Sequence, residues 1–179
     1  MLPRKDLYPG YDVLPPFVLY RADRTDAATF DQESGLMTAP GMVQFARGRL
    51  SGTGVGMTYD KTGDVLTLNE ESHVTLAAAD AEGDTLAFTA GKAVLNRMQH
   101  TLALDGQVHV LDGPQIIDAQ TCLAQLSAEE DRVTRIELRG DARVTGGRSS
   151  VESMTAKGID LDYAEDGEAL QHAFLDGDA

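Results

Sequence analysis

The amino-acid sequence predicts an all-β fold in which two facing antiparallel sheets are folded over one another. Three observations carry this reading. Apolar and polar residues alternate through most of the chain, turn residues recur at roughly ten-residue intervals, and the alternation changes phase part-way along several strands. Helical periodicity is nearly absent, and only Ala124 to Val133 has the pattern of a short helical turn.

Residues 1–16 contain Pro3, Pro9, Pro15 and Pro16, which disfavour regular pairing, so this stretch reads as an extended arm or linker. It also lacks the apolar core of a signal peptide. Residues 17–179 read as a single β-domain. Its alternating runs include Val55-Met57-Tyr59, Leu66-Leu68, Val74-Leu76, Leu102-Leu104, Val108-Val110 and Ile136-Leu138. An aromatic residue before an acidic turn closed by glycine recurs at Phe30-Asp31 to Gly35, Tyr59-Asp60 to Gly63, and Tyr163 to Gly167. Asp bonds its own turn backbone and Gly accepts positive φ, so each predicts a hairpin loop. A second feature, Leu104-Asp105-Gly106-Gln107-Val108 and Leu138-Arg139-Gly140-Asp141-Ala142, predicts a tight reversal between strands. Leu175-Asp176-Gly177-Asp178-Ala179 starts that pattern again, as though the chain ends inside a repeat. The repeats recur at about 29 to 38 residues, each unit too small to bury its own apolar face.

The phase change is the feature that calls for two layers. Apolar positions run Phe88, Ala90, then Ala93, Leu95; Ile117, Ala119, then Cys122, Ala124; and Met154, Ala156, then Ile159, Leu161. A weaker copy runs Leu50, Gly52, then Val55, Met57. A three-residue step moves the inward set to the opposite parity, which a strand achieves at a bend while passing from one packed layer to the other. Gly54, Gly91 and Gly158 lie at three of these steps. Gly91→Val or Gly158→Val is therefore expected to cost roughly 1 to 3 kcal/mol. The predicted inward set is Val55, Met57, Tyr59, Leu66, Leu68, Phe88, Leu102, Leu104, Val108, Ile117, Ile136, Leu138, Met154, Ile159 and Leu161.

Composition narrows the function. A formal charge of −14, from 15 Lys and Arg against 29 Asp and Glu, repels phosphate backbones, so no nucleic-acid partner is expected. The pairs Arg47/Arg49 and Arg139/Arg143 read as solvated surface cations. There is no Trp, and the core must come from Leu, Val, Ile, Ala and Met. Cys122, the single cysteine, excludes an internal disulfide and a Cys-rich zinc site, and reads as a buried inert thiol. No apolar run of about 18 residues occurs, so nothing predicts a membrane-spanning helix.

Chemistry-bearing motifs fall away one by one. Gly52-Thr53-Gly54-Val55-Gly56 continues into strand-like sequence, whereas a phosphate loop needs a helix N-terminus next. Asp160-Leu161-Asp162 with Asp166-Gly167 lacks the spacing of a calcium loop, because Ala164 and Ala173 stand at ligand positions; it reads as an acidic hairpin turn. His73, His100, His109 and His172 are dispersed, and Ser149 and Ser150 lack a nucleophile elbow. No catalytic residue, metal ligand or cofactor is expected, and the chain does not read as an enzyme.

Five stretches carry a resemblance to a family whose members repeat "Thr-Ala-x-x-apolar", a variable hairpin, then "Leu-x-Gly-x-Val". They are Gly41-Met42-Val43-Gln44-Phe45, Gly54-Val55-Gly56-Met57-Thr58-Tyr59-Asp60, Phe88-Thr89-Ala90-Gly91-Lys92-Ala93, Leu102-Ala103-Leu104-Asp105-Gly106-Gln107-Val108 and Met154-Thr155-Ala156-Lys157-Gly158-Ile159-Asp160-Leu161. From about Arg21 onward the chain resembles the periplasmic β-domains of the lipopolysaccharide-transport (Lpt) machinery, the LptC and LptA (OstA-like) group. Residues 17–80 look more like LptC and 81–179 more like the OstA repeat. The resemblance implies an elongated, folded-over β-jellyroll, a periplasmic location with any leader or anchor outside this chain, and lipopolysaccharide or a related lipid as ligand. It further implies pairing with neighbouring Lpt β-domains through terminal edge strands, including head-to-tail oligomers. The expected acyl groove is lined by Val43, Phe45, Met57, Leu68, Leu76, Phe88, Leu104 and Val110. The residues leave a second reading open, a β-solenoid-like spacer whose interior is packed and binds nothing.

Overall fold

The computed structural model describes residues 18–20, 28–78, 85–146, 152–164 and 169–177, and these form strands and turns with no helix among them. The strands are β1 (Val18–Tyr20), β2 (Thr29–Asp31), β3 (Leu36–Arg47), β4 (Leu50–Asp60), β5 (Val65–Leu76), β6 (Leu86–Ala90), β7 (Lys92–Asn96), β8 (Thr101–Asp112), β9 (Gln115–Leu126), β10 (Val133–Thr145), β11 (Ser153–Tyr163) and β12 (Leu170–Asp176). They make one antiparallel sheet in the order β1-β3-β4-β5-β6-β8-β9-β10-β11-β12, with β2 on β3. β6 and β7 lie end to end between β5 and β8, so they act as one long strand bent at Gly91. From β3 onward, hairpin follows hairpin.

Two of the aromatic-acid-glycine turns are hairpin loops, as their sequence predicts. Asp31 Oδ1 accepts the backbone N–H groups of Glu33 at 3.0 Å and Ser34 at 2.9 Å, and Asp60 Oδ1 accepts that of Thr62 at 2.8 Å. Gly167 of the third, the arm at 1–16, and Ser149 and Ser150 lie outside the described residues. The long strands open at Leu36, Val65, Thr101 and Val133, and β12 opens at Leu170, so the repeating unit is a two-strand hairpin.

Every long strand is creased near its middle, by two alternating devices. In β6–β7, β9 and β11 the buried positions step by three, from Ala90 to Ala93, Ala119 to Cys122, and Ala156 to Ile159. In β3, β5, β8 and β10 they step by four, from Ala39 to Val43, Leu68 to Ser72, Leu104 to Val108, and Leu138 to Ala142. The mismatch between neighbours is a bulge: Gly106 and Gln107 face the single Gln120, and Gly140 and Asp141 face the single Lys157. Glu71, Gln107 and Asp141 sit at left-handed φ of 48°, 54° and 51° on the same line. A row of bulges across one sheet bends it along that line, and the two leaves close on each other.

This corrects several expectations. Leu104-Asp105-Gly106-Gln107-Val108 and Leu138-Arg139-Gly140-Asp141-Ala142 are not reversals, since each lies within one strand. A Gly-x pair at positive φ serves a turn and a bulge alike, and only the preserved parity of the flanking apolar residues separates the two. The step in β4 falls between Gly54 and Met57, around Gly56 at φ 72°, so Val55 is turned partly outward. Met154 is also only partly buried, at the far margin of the core. Ala124 to Val133 holds the end of β9 and a non-helical turn. Asp160 and Asp162 lie within β11 rather than in a turn, where Arg135 bonds Asp160 and Asp162 at 3.1 Å each and Arg139 also pairs with Asp160.

The remaining predicted inward residues are buried, and both leaves contribute to one apolar cluster. Each fully buried Leu, Ile or Phe there contributes about 1.5–3 kcal/mol. Where Phe45 faces Gly52 across β3 and β4, the ring occupies the space a Cβ on Gly52 would need. That pairing lets a large aromatic ring lie flat over its neighbouring strand.

Candidate functional site

The site is the interior between the leaves. Val43 and Phe45 on β3, Leu76 on β5, Phe88 on β6 and Val110 on β8 come from the leaf that ends in the hairpins at 48–49 and 113–114. Met57 on β4, Leu68 on β5 and Leu104 on β8 come from the leaf that ends at 61–64, 97–100 and 127–132. All eight are at most 5% exposed, so they are packed into the interior. The structure places these eight residues in one interior, which they fill. A depression of ≈ 390 Å³ lined by Thr29, Thr38, Ala39, Pro40, Met57, Thr58 and Asn69 touches the set only at Met57.

The rim where the leaves meet is polar, and sequence reasoning missed it. Arg97, at the end of β7, pairs with Asp64 and bonds Glu130 through Nε at 3.1 Å. Arg47, from the other leaf, reaches Glu130 at 3.9 Å, and His100 Nδ1 also lies 3.9 Å from that carboxylate. Tyr59 donates its hydroxyl to Asp64 at 3.0 Å. Further along, Tyr163 donates to Gln115 Oε1 at 3.4 Å across the same rim. Arg47 is thus part of an ion cluster rather than a solvated cation. No short-range signal announces this, because Arg97 stands 33 residues from both Asp64 and Glu130.

Electrostatics follow this geometry. The Ser127 hydroxyl, 2.7 Å from Asp131 Oδ1, lowers the Asp131 pKa, with Arg132 and Arg49 adding to the effect. Burial, with help from Asp64, pushes the Tyr59 phenol from 10.0 up to about 12. Burial alone pushes the Cys122 thiol from 9.0 up to about 12, as suits an inert core thiol. Both groups hold protons in the folded state that the unfolded chain releases. Their contribution is therefore intact below about pH 9 and lost as pH rises toward 12. Alkaline titration followed by circular dichroism should show stability falling over that window, with a shallower fall in a Tyr59→Phe, Cys122→Ala double variant.

On the outer face His73 Nδ1 meets Thr89 Oγ1 at 3.2 Å, and His109 Nδ1 meets Asp118 at 2.7 Å. His172 stacks on Phe174 in β12, with ring centroids 6.1 Å apart. Among the described residues, no three His, Cys, Asp or Glu side chains converge as a metal site would require. No helix among them is long and apolar enough to cross a membrane.

This geometry defines a fold class, an antiparallel β-jellyroll made by creasing one meandering sheet over an aliphatic interior. No known family model matches the chain, and no curated protein matches it in sequence. A solved structure does match in fold: LptH of Pseudomonas aeruginosa, described as the LptA-homologous periplasmic component of the conserved lipopolysaccharide transport device. The TM-score is 0.57 at 18% identity, over 79% of this chain and 94% of LptH. At that identity the likeness establishes the shared β-jellyroll.

Proposed function

We propose that the chain is a lipid carrier of the Lpt type, which takes the acyl chains of lipopolysaccharide or a related lipid between its leaves. The observation that carries this reading is the continuous aliphatic interior, enclosed by a sheet folded like that of LptH. Apolar burial is non-directional, so an interior of Leu, Val, Ile and Met accepts flexible alkyl chains without specific partners. In this reading the protein works in the periplasm, as one β-domain spanning residues 17–179. It pairs with neighbouring Lpt domains through its terminal strands β1 and β12, including head-to-tail copies of itself. It moves lipid and catalyses no reaction.

The near-complete burial of the candidate residues favours a second reading, a packed spacer that binds nothing. Photo-crosslinking separates the two. A benzophenone side chain at Phe88 or Leu104 should capture lipopolysaccharide if chains lodge between the leaves. Leu104→Asp, verified as folded by its β-sheet spectrum, should weaken capture from Phe88 by placing an unpaired charge against the alkyl chain. Equal capture by the folded Leu104→Asp variant would overturn the groove assignment, and no capture from either position would favour the spacer.

A further inference from the structure

We propose that Glu130, held by Arg47 from one leaf and Arg97 from the other, is the bolt of an ionic latch that keeps the folded sheet shut and governs admission of alkyl chains. The inference rests on the lipid-carrying reading. It starts from a distance that the sheet alone cannot produce. Arg47 ends β3 and Glu130 follows β9, five strand spacings away in sheet order, which is about 24 Å within the plane. Their side chains are nevertheless 3.9 Å apart. The contact therefore crosses the mouth of the fold, and it joins the two leaves at their free ends rather than at the crease.

Three further observations mark the contact as built. Glu130 is a charged residue at only 9% exposure, and such burial is tolerated only when the charge is paired. Its backbone sits at φ 58°, an unfavourable region for a residue with a side chain. The loop around it imposes that conformation: Glu130 N–H donates to Ser127 O at 2.9 Å, Asp131 N–H to Ser127 Oγ at 3.2 Å, and Ser127 N–H to Arg132 O at 2.9 Å. Behind the bolt, Arg97 and its partner Asp64 stand on Glu130's own leaf and hold the carboxylate in place, so it is the Arg47 contact that depends on the leaves being closed.

The filled interior gives this closure its meaning. The candidate residues are at most 5% exposed, so an alkyl chain reaches them only if the leaves part. The crease is continuous backbone, and the mouth is the side that can part. Ion pairs suit a reversible closure because opening returns the charges to water, whereas apolar lips would expose hydrophobic surface on opening.

The test measures the mouth and the cargo separately in the full chain. Spin labels at Ala77→Cys and Glu129→Cys report the distance between the two lips; Glu129 is 69% exposed, and Cys122 is too buried to be labelled. N-phenyl-1-naphthylamine reports uptake into the interior. Glu130→Gln should lengthen and broaden the distance distribution and raise the uptake rate several-fold, and 1 M NaCl on the wild type should move both in the same direction. Glu137→Gln removes the same charge from the outer-face network and should change neither. Should Glu130→Gln lose its β-sheet spectrum, Arg47→Gln tests the latch from the other lip. An unchanged distance and rate in a folded latch variant would overturn the latch and leave the lipid reading standing. Lips that part without faster uptake would overturn control of admission, and would count against the lipid reading as well.

Discussion

Phe88→Ala is expected to destabilise the protein by about 3–5 kcal/mol, the usual range for removing a fully buried ring. Phe88 is 0% exposed and stands directly between Val74 on β5 and Val110 on β8. Its strand has only five residues, and its other end abuts the bend at Gly91, so the backbone has little freedom to collapse into the void. Against a typical total of about 5–15 kcal/mol, this loss brings the fold near its limit. Urea denaturation should show a markedly lower midpoint with an unchanged slope. A midpoint within a few tenths molar of wild type would mean that the leaves are not packed against each other at Phe88.

Gly140→Val is the second large effect, at roughly 2–3 kcal/mol. Gly140 sits at φ 78°, and a Cβ there would lie 2.7 Å from the Cβ and Cγ of Gln120 on β9. The substitution strains the backbone and crowds the neighbouring strand at the same bulge. Gly158→Val should cost under about 1 kcal/mol, because its φ is ordinary and the added carbon meets chiefly the flexible Arg139 side chain at 3.3 Å. Gly91→Val falls between, since the added carbon meets the Asp105 backbone oxygen at 3.2 Å. Thermal melts of the three variants give the order directly, and equal losses at Gly140 and Gly158 would contradict the bulge geometry. The ranking departs from the sequence expectation, which placed the strain at Gly91 and Gly158.

That departure shows which parts of the fold are local. Alternation at Leu66-Leu68 or Ile136-Leu138 reports burial directly, because a strand has a side-chain period of two. The three-residue steps at Ala90 to Ala93 and Ala119 to Cys122 were legible for the same reason, and they already required two layers. The four-residue steps were not, because Gly106 and Gly140 keep the parity of their strands and give the same signal as a turn. The eight interior candidates could be named from alternation alone, but whether they frame a groove or fill a core depends on how closely two distant leaves approach. The rim was beyond reach for a stronger reason. Asp64, Arg97 and Glu130 each lie in or beside a different hairpin turn, and polar residues in turns are ordinary.

The meandering order of the strands has a consequence for how the chain reaches this state. Apart from the short strand β1, each new strand needs only the hairpin just completed as its template, so no pairing waits for a distant segment. Relative contact order is thereby kept low for an all-β protein, which favours fast folding by successive addition. Stability then accrues as nearest-neighbour terms between consecutive hairpins, as in a linear array. Such a molecule can fold vectorially, growing strand by strand from a finished end.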